Sequence, residues 1–187
     1  LSSNGMPVTV RDSGGNIWTV WHTGTTGSRD ICIGKLMLEA ESFSNITQIR
    51  DNTTDQCNPV IAVDSDDKLY VAWQDNRRGN WDIYISTSSD WSVETRITDS
   101  NDQINPAIVI DSSNNVYVVW EDDRNDNQDI YIATSNNSFV SKTVSQITSD
   151  TSDQSEPAIA TDSVNTIYVV WTDTRNGGKN DIYGAAS

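Results

Sequence analysis

Residues 105–133 read NPAIVIDSSNNVYVVWEDDRNDNQDIYIA, and the chain repeats this stretch four times. The other copies are MPVTVRDSGGNIWTVWHTGTTGSRDICIG from Met6, NPVIAVDSDDKLYVAWQDNRRGNWDIYIS from Asn58 and EPAIATDSVNTIYVVWTDTRNGGKNDIYGA from Glu156. Within the quoted copy, Ala107–Ile110 and Val116–Trp120 are short β-branched and aromatic runs. A turn-forming Asp-Ser-Ser-Asn-Asn joins them, so they predict a hairpin of strands A and B. Ile130–Ala133 predicts strand C, and the polar run Val140–Ile147 predicts an outer strand D.

The prolines that open the copies, Pro7, Pro59, Pro106 and Pro157, lie 52, 47 and 51 residues apart. A period of roughly 40 to 50 residues with several short strands is that of a propeller blade. Apolar residues show none of the three- and four-residue spacing of helical repeats. The expected fold is all-β: a β-propeller of four repeats of about 50 residues with four antiparallel strands per blade. The repeats fall at approximately 1–52, 53–99, 100–150 and 151–187 of a single domain. Segments fit for strand D occur at Phe43–Arg50, Trp91–Ile97 and Val140–Ile147, but the fourth copy has none. Trp21, Trp73, Trp120 and Trp171 are expected to wedge between blades. Trp18, Tyr70, Tyr117 and Tyr168, three residues earlier, belong to the opposite face.

Twelve basic and 27 acidic residues give a net charge of −15, which repels nucleic acid and anionic membranes. No apolar run reaches the roughly 20 residues of a spanning helix, so membrane insertion is not expected. The chain does not start at Met and reads as a mature or trimmed product. Abundant Ser, Thr, Asn and Asp point to an extracellular or cell-surface setting. Cys32 and Cys57 are candidates for one disulfide there, with two separate thiols as the alternative. Asn45, Asn52 and Asn136 open glycosylation sequons.

The B-to-C connection carries the most distinctive residues: Asp75, Arg77, Gly79 and Asp82; Asp122, Arg124 and Asp129; Asp173, Arg175, Gly177 and Asp181. The first copy keeps Asp30, preceded by Arg29. One reading makes them scaffold, with Asp and Arg bridging and bonding loop amides. The other makes them a ligand face, because the D-to-A connection, with its repeated Asp55-Gln56, Asp102-Gln103 and Asp153-Gln154, shares their rim. Carboxylates, guanidinium groups and Trp81 there suit a glycan or protein ligand. No cofactor is implied. Calcium is a secondary candidate at Asp64, Asp66 and Asp67, or around Glu121 at Asp122, Asp123 and Asp126, because it takes clustered oxygens. The single histidine, His22, reads as a surface residue. There is no G-x-S-x-G, H-E-x-x-H or phosphate-binding glycine loop, so the chain is expected not to be an enzyme.

The strings P-A-I-A-x-D-S, Y-V-V-W-x-D-x-R and D-I-Y-I resemble the repeats of sialidase-like, Asp-box-related β-propellers of secreted and surface proteins. The resemblance covers essentially the whole chain and implies blades. An Asp-box, Ser-x-Asp-x-Gly-x-x-Trp, is not matched: Ser88-Ser-Asp90-Trp91 lacks its glycine and spacing. No position matches the arginine triad, Tyr/Glu pair and acidic residue of catalytic sialidases. The leading expectation is therefore a non-catalytic extracellular module binding a glycan or protein through its Asp/Arg/Trp loops. The alternatives are a structural subunit of a filament or surface layer, self-assembling by strand complementation at the unpaired edge, and a fragment of a larger sialidase-like glycoside hydrolase.

Overall fold

A computed structural model describes residues 5–50, 53–98, 101–136 and 138–187. The first sheet contains β1 (Gly5–Arg11), β2 (Ile17–Thr23), β3 (Asp30–Met37) and β4 (Ser42–Gln48). The second contains β5 (Gln56–Val63), β6 (Leu69–Asp75), β7 (Asp82–Thr87) and β8 (Asp90–Arg96). The third contains β9 (Gln103–Ile110), β10 (Val116–Asp122), β11 (Asp129–Ser135) and β12 (Thr143–Gln146). The fourth has β13 (Gln154–Thr161), β14 (Ile167–Asp173) and β15 (Asp181–Ala186). Each sheet is an antiparallel meander in chain order, so each repeat is one blade of a propeller-like stack.

Strand periodicity explains the stacking, because alternate residues serve opposite faces. Val20, Ile31 and Ile33 of the first blade cluster with Leu69, Val71, Trp73 and Tyr84 of the second. Tyr70, Ala72, Ile83 and Ile85 on the second blade's other face join Val116, Val118, Trp120 and Tyr131 of the third. Val119 and Ile130 then meet Ile167, Val169 and Trp171 of the fourth. With both faces covered, β6 is buried along its whole length, which is why its apolar residues are consecutive. Trp73 and Trp120 are fully buried at these junctions, as expected of wedges, and the tyrosines three residues earlier lie on the other face. The end faces are open: Tyr168, Val170 and Ile182 of the fourth blade are exposed, as is Phe43, which sits 5.1 Å from the Trp21 ring.

Two rims of hydrogen bonds hold the blades in register. In every A–B turn one aspartate accepts from the turn's own amides. Asp111 Oδ1 takes Ser113 N and Asn115 N at 2.9 Å each, and its Oδ2 takes the Tyr117 hydroxyl at 3.1 Å. Asp12, Asp64 and Asp162 repeat the arrangement with Asn16, with Asp66 and Lys68, and with Val164 and Thr166. The third residue after Asp64, Asp111 and Asp162 reaches the preceding blade: Asp67, Asn114 and Asn165 accept from the backbone N–H of Ser13, Ser65 and Ser112 at 2.7–3.0 Å.

Three expectations change. Cys32, in β3, and Cys57, in β5, are unbridged buried thiols. His22 is buried in β2, and burial lowers its pKa. The proposed calcium turn is already occupied by donors, because Asp64 bonds its own turn's amides and Asp67 bonds Ser13. Asp123 Oδ1 likewise accepts from Asp102 N, Asp122 belongs to its own arginine, and Asp126 takes part through its backbone N–H to the Asp123 carbonyl. Among the described residues no three His, Cys, Asp or Glu side chains converge as a metal site. Asn45 and Asn136 are exposed, and Asn52 lies outside the described residues.

Candidate functional site

The end of strand B and the loop after it form a repeated unit, Trp-x-Asp-x-Arg. Trp120 Nε1 donates to Asp122 Oδ2 at 2.9 Å, and Trp171 Nε1 to Asp173 Oδ2 at 3.1 Å. Each aspartate also takes the backbone N–H and the guanidinium of the arginine two residues on. Arg124 Nε lies 2.7 Å from Asp122, Arg175 Nε lies 2.9 Å from Asp173, and Arg77 is bonded to Asp75. The guanidinium groups then stack over Tyr84, Tyr131 and Tyr183 at 4.2–4.3 Å. Asp75, Asp122 and Asp173 are fully buried, and the Arg175 bonds hold the Asp173 carboxyl down at about 2. Asp82 and Asp129 are also buried and bond residues of their own blades' outer strands, while Asp181 bonds Asn176. These side chains hold strand B, strand C and their loop together.

The repeated Asp-Gln forms the second rim. Asp55, Asp102 and Asp153 accept from the backbone N–H of Arg29, Trp81 and Gln128 in the preceding blade, at 2.8–3.1 Å. The N–H of the glutamine that follows each then bonds the carbonyl of that same loop residue at 2.7–2.8 Å. In the first blade, which has no Trp-x-Asp-x-Arg, Arg29 instead pairs with Asp55 at 2.6 Å.

A different set of side chains forms a polar ladder on the inner strands. Met6, Asn58, Asn105 and Glu156 precede the repeat prolines with φ of 52–54°, each at a register shift of the innermost strand. The bulge re-aims the side chain, as such insertions do. In the last three blades the residue after the junction tryptophan meets it, namely Gln74, Glu121 and Thr172, and in the first His22 pairs with Gly5. Asn58 Nδ2 donates to Gln74 Oε1 at 2.9 Å and to Asn105 Oδ1 at 3.0 Å. Asn105 Nδ2 and Glu156 N donate to Glu121 Oε1 at 2.8 and 2.7 Å, and Thr172 Oγ1 donates to Glu156 Oε2 at 3.2 Å. The ladder thus crosses three blades.

Glu121 is 3% exposed, and burial pushes its carboxyl pKa up despite the two bonds it accepts. The nearby Glu156 charge acts in the same direction. Glu121 lines a cleft of about 310 Å³ between the second and third blades, with Gln74, Trp81, Asp102, Ile104 and Gln128 among its walls. Of the residues singled out in sequence, Trp81, Asp102 and Asp122 reach this cleft, as do Glu121 and Asp123 from the calcium turn. Arg77, Arg124 and Arg175 stay on separate blades, each against its own tyrosine. Glu121, Gln74, Asn105 and Glu156 were missed as a group. Their signal is variation: these are positions where four otherwise similar copies differ in polar chemistry.

No protein-family model and no curated protein sequence matches the chain. Its fold does match solved structures. A protein of unknown function from Dyadobacter fermentans has a TM-score of 0.74 at 10% identity, over 98% of this chain and 66% of that one. The α-L-arabinofuranosidase of Fusarium graminearum gives 0.68 at 10% identity, over 100% of this chain and 58% of that one. A thermostable family-43 glycoside hydrolase gives 0.62 at 11% identity, over 98% and 71%. The chain therefore spans 58–71% of the length of these proteins. At such identities the likeness establishes the β-propeller fold. The expected exclusion of enzymes is overturned, because glycoside hydrolases carry this fold across the whole chain. Those neighbours are hydrolases of family 43 and an arabinofuranosidase, so the sialidase-like part of the resemblance gains no support from them.

Proposed function

We propose that this propeller acts on glycans, with the cleft between the second and third blades as the sugar site and Glu121 as its proton donor. One observation carries the reading: a buried carboxyl with a raised pKa opens into a cleft that also presents the Trp81 indole. A general acid at a glycosidic oxygen must hold its proton near neutral pH, and burial is the usual means. An indole offers a flat apolar face to a sugar ring, while Gln74, Asp102 and Gln128 offer donors and acceptors to hydroxyls. The volume lies at the low end of small-molecule sites, roughly 300 Å³, which suits one sugar unit. Glu156, exposed and next on the ladder, is the second carboxylate of the reaction. The glycoside hydrolases that share the fold support this chemistry, and the Ser/Thr/Asn-rich acidic composition supports an extracellular setting.

The remaining rim residues serve this site indirectly. Arg77, Arg124 and Arg175, with their aspartates, fix the loops that carry Trp81 and its counterparts. The test is hydrolysis of a panel of aryl glycosides, starting with α-L-arabinofuranosides, by the wild-type protein and its Glu121→Gln and Trp81→Ala variants. Turnover that drops by about 10²-fold or more in Glu121→Gln, with sugar binding retained, supports the assignment. Absence of both turnover and sugar binding across the panel rejects it.

A further inference from the structure

Consecutive blades also meet beside their outer strands, and two junctions of the same design differ there in charge. The register of the repeat fixes which residues correspond. Glu94 of β8 lies opposite Ser86, four residues after Asp82, and Val144 of β12 lies opposite Ala133, four residues after Asp129. Arg96 and Gln146 correspond in the same way, opposite Tyr84 and Tyr131. Val144 therefore stands in the third blade where Glu94 stands in the second.

Between the first and second blades that glutamate is the meeting point of two arginines. Its Oε1 lies 3.2 Å from Arg50 Nη2, on the segment after β4, and its Oε2 accepts from Arg77 Nη2 at 3.1 Å. Between the second and third blades the corresponding space is a cleft of about 370 Å³, walled by Arg96, Ile97, Thr98, Arg124, Lys142 and Val144. Arg124 is the counterpart of Arg77, since each bonds the aspartate two residues before it and stacks over its own blade's tyrosine. Lys142, in the place of Ser92, reaches across the junction and donates to the Arg96 carbonyl at 3.1 Å. Arg96 itself stands where the first and third blades have Gln48 and Gln146.

One junction thus closes a carboxylate between two guanidinium groups, and the next brings three cations around an open space. Among the described residues that wall the cleft none is a carboxylate. The aspartates beside the two arginines, Asp82 and Asp122, are fully buried. Arg96 has only a distant partner in Asp82, 3.6 Å away and beyond hydrogen-bonding distance. The Arg96 and Arg124 side chains are 23% and 28% exposed, so solvent and salt screen them less than a fully exposed ion.

We propose that this cleft is an anion site for the carboxylate of a sugar acid, a uronate, seated where Glu94 sits one blade earlier. A carboxylate is the group this fold itself places between such cations, and a planar guanidinium matches it with paired donors. The volume admits a body of monosaccharide size behind the charge, since small-molecule sites begin at roughly 300 Å³. With a net charge of −15 the surface as a whole repels anions, so a convergence of three cations singles out one place for them. The site shares no wall with the cleft that holds Glu121 and stands independently of it.

Calorimetric titration of the 187-residue protein with glucuronate, glucose and acetate at low salt tests the site. Glucuronate should bind saturably and less tightly as sodium chloride is added, glucose should not bind, and acetate should bind about tenfold more weakly or worse. Arg96→Gln, which matches the other two blades, and Lys142→Ser, which matches the second, should each weaken glucuronate binding about tenfold. Val144→Glu should supply the carboxylate from the chain itself, abolish glucuronate binding and raise the melting temperature. Absence of glucuronate binding overturns the proposal, as does glucose or acetate binding equally well, or affinity unchanged in Arg96→Gln or Val144→Glu. The readout is binding rather than turnover, so failure here leaves the Glu121 assignment untouched.

Discussion

Trp120 and Asp122 sit two residues apart on β10, and the indole N–H of the first bonds the buried carboxylate of the second at 2.9 Å. That carboxylate also holds the backbone N–H and guanidinium of Arg124, so one side chain joins a blade junction to a rim loop. Removing it in Asp122→Ala leaves an indole donor and a charged guanidinium without their acceptor. A loss of about 3–5 kcal/mol is expected, as for breaking a buried pair, measured as a lower urea midpoint. Arg124→Ala, at the exposed end of the same group, should lose less.

The pH dependence of the corresponding pair in the fourth blade has a defined sign. Asp173 is held at about 2, below its usual value of 3.8, chiefly by the Arg175 side chain. Its stabilisation is therefore complete above the unfolded-state value and is lost as pH falls from about 4 towards 2. Urea unfolding across that window should show this loss in the wild type, and a smaller loss in Asp173→Asn.

Glu121 behaves in the opposite way. Burial raises its pKa above the usual 4.5, so its contribution is complete below that value and declines as pH rises through the folded-state pKa. Glu121→Gln should therefore be more stable than wild type at pH 8 and indistinguishable from it near pH 3.5. Loss of activity combined with a gain in stability marks a group kept for chemistry rather than for packing. Equal unfolding midpoints at pH 8 would remove that argument.

Phe139→Ala would open a gap in the apolar cluster between the second and third blades. With Phe139 almost fully buried, the expected loss is about 3–5 kcal/mol, read from the denaturant midpoint. Val140→Ala, at the 86%-exposed neighbour, should be silent.

The two thiols give a further check. Burial raises the pKa of both, Cys57 to about 11, and neither is bridged. A thiol reagent at pH 8 should react slowly with native protein and titrate two groups once guanidinium has unfolded it. An unfolded, unreduced sample with no titratable thiol would show a disulfide instead.

Most of the frame was legible in sequence because each blade repeats it. Spaced prolines, hairpin turns and tryptophans set three residues after an aromatic gave the strands, the two covered faces and the wedges. Side-chain commitments were not legible. Asp75, Asp122 and Asp173 resemble ligand-binding residues in the sequence, yet each is fully buried beneath its own tryptophan and arginine. In sequence Glu121 reads only as part of an acidic turn with Asp122 and Asp123, because a motif search weighs what copies share and this position is where they differ. Its bonding partners Asn105 and Glu156 are distant in sequence and meet it at the bulges of β9 and β13.

Those bulges bear on how such a molecule diversifies. Met6, Asn58, Asn105 and Glu156 share one left-handed backbone conformation, and none of their side chains is fully buried. An asparagine suits that conformation, whereas methionine and glutamate adopt it at a cost of about 1–2 kcal/mol each. A duplicated blade thus inherits an intact frame together with one inward position at which the copies already differ. Codon changes at four such positions can alter what the propeller presents along its inner strands while leaving the apolar clusters between blades as they were.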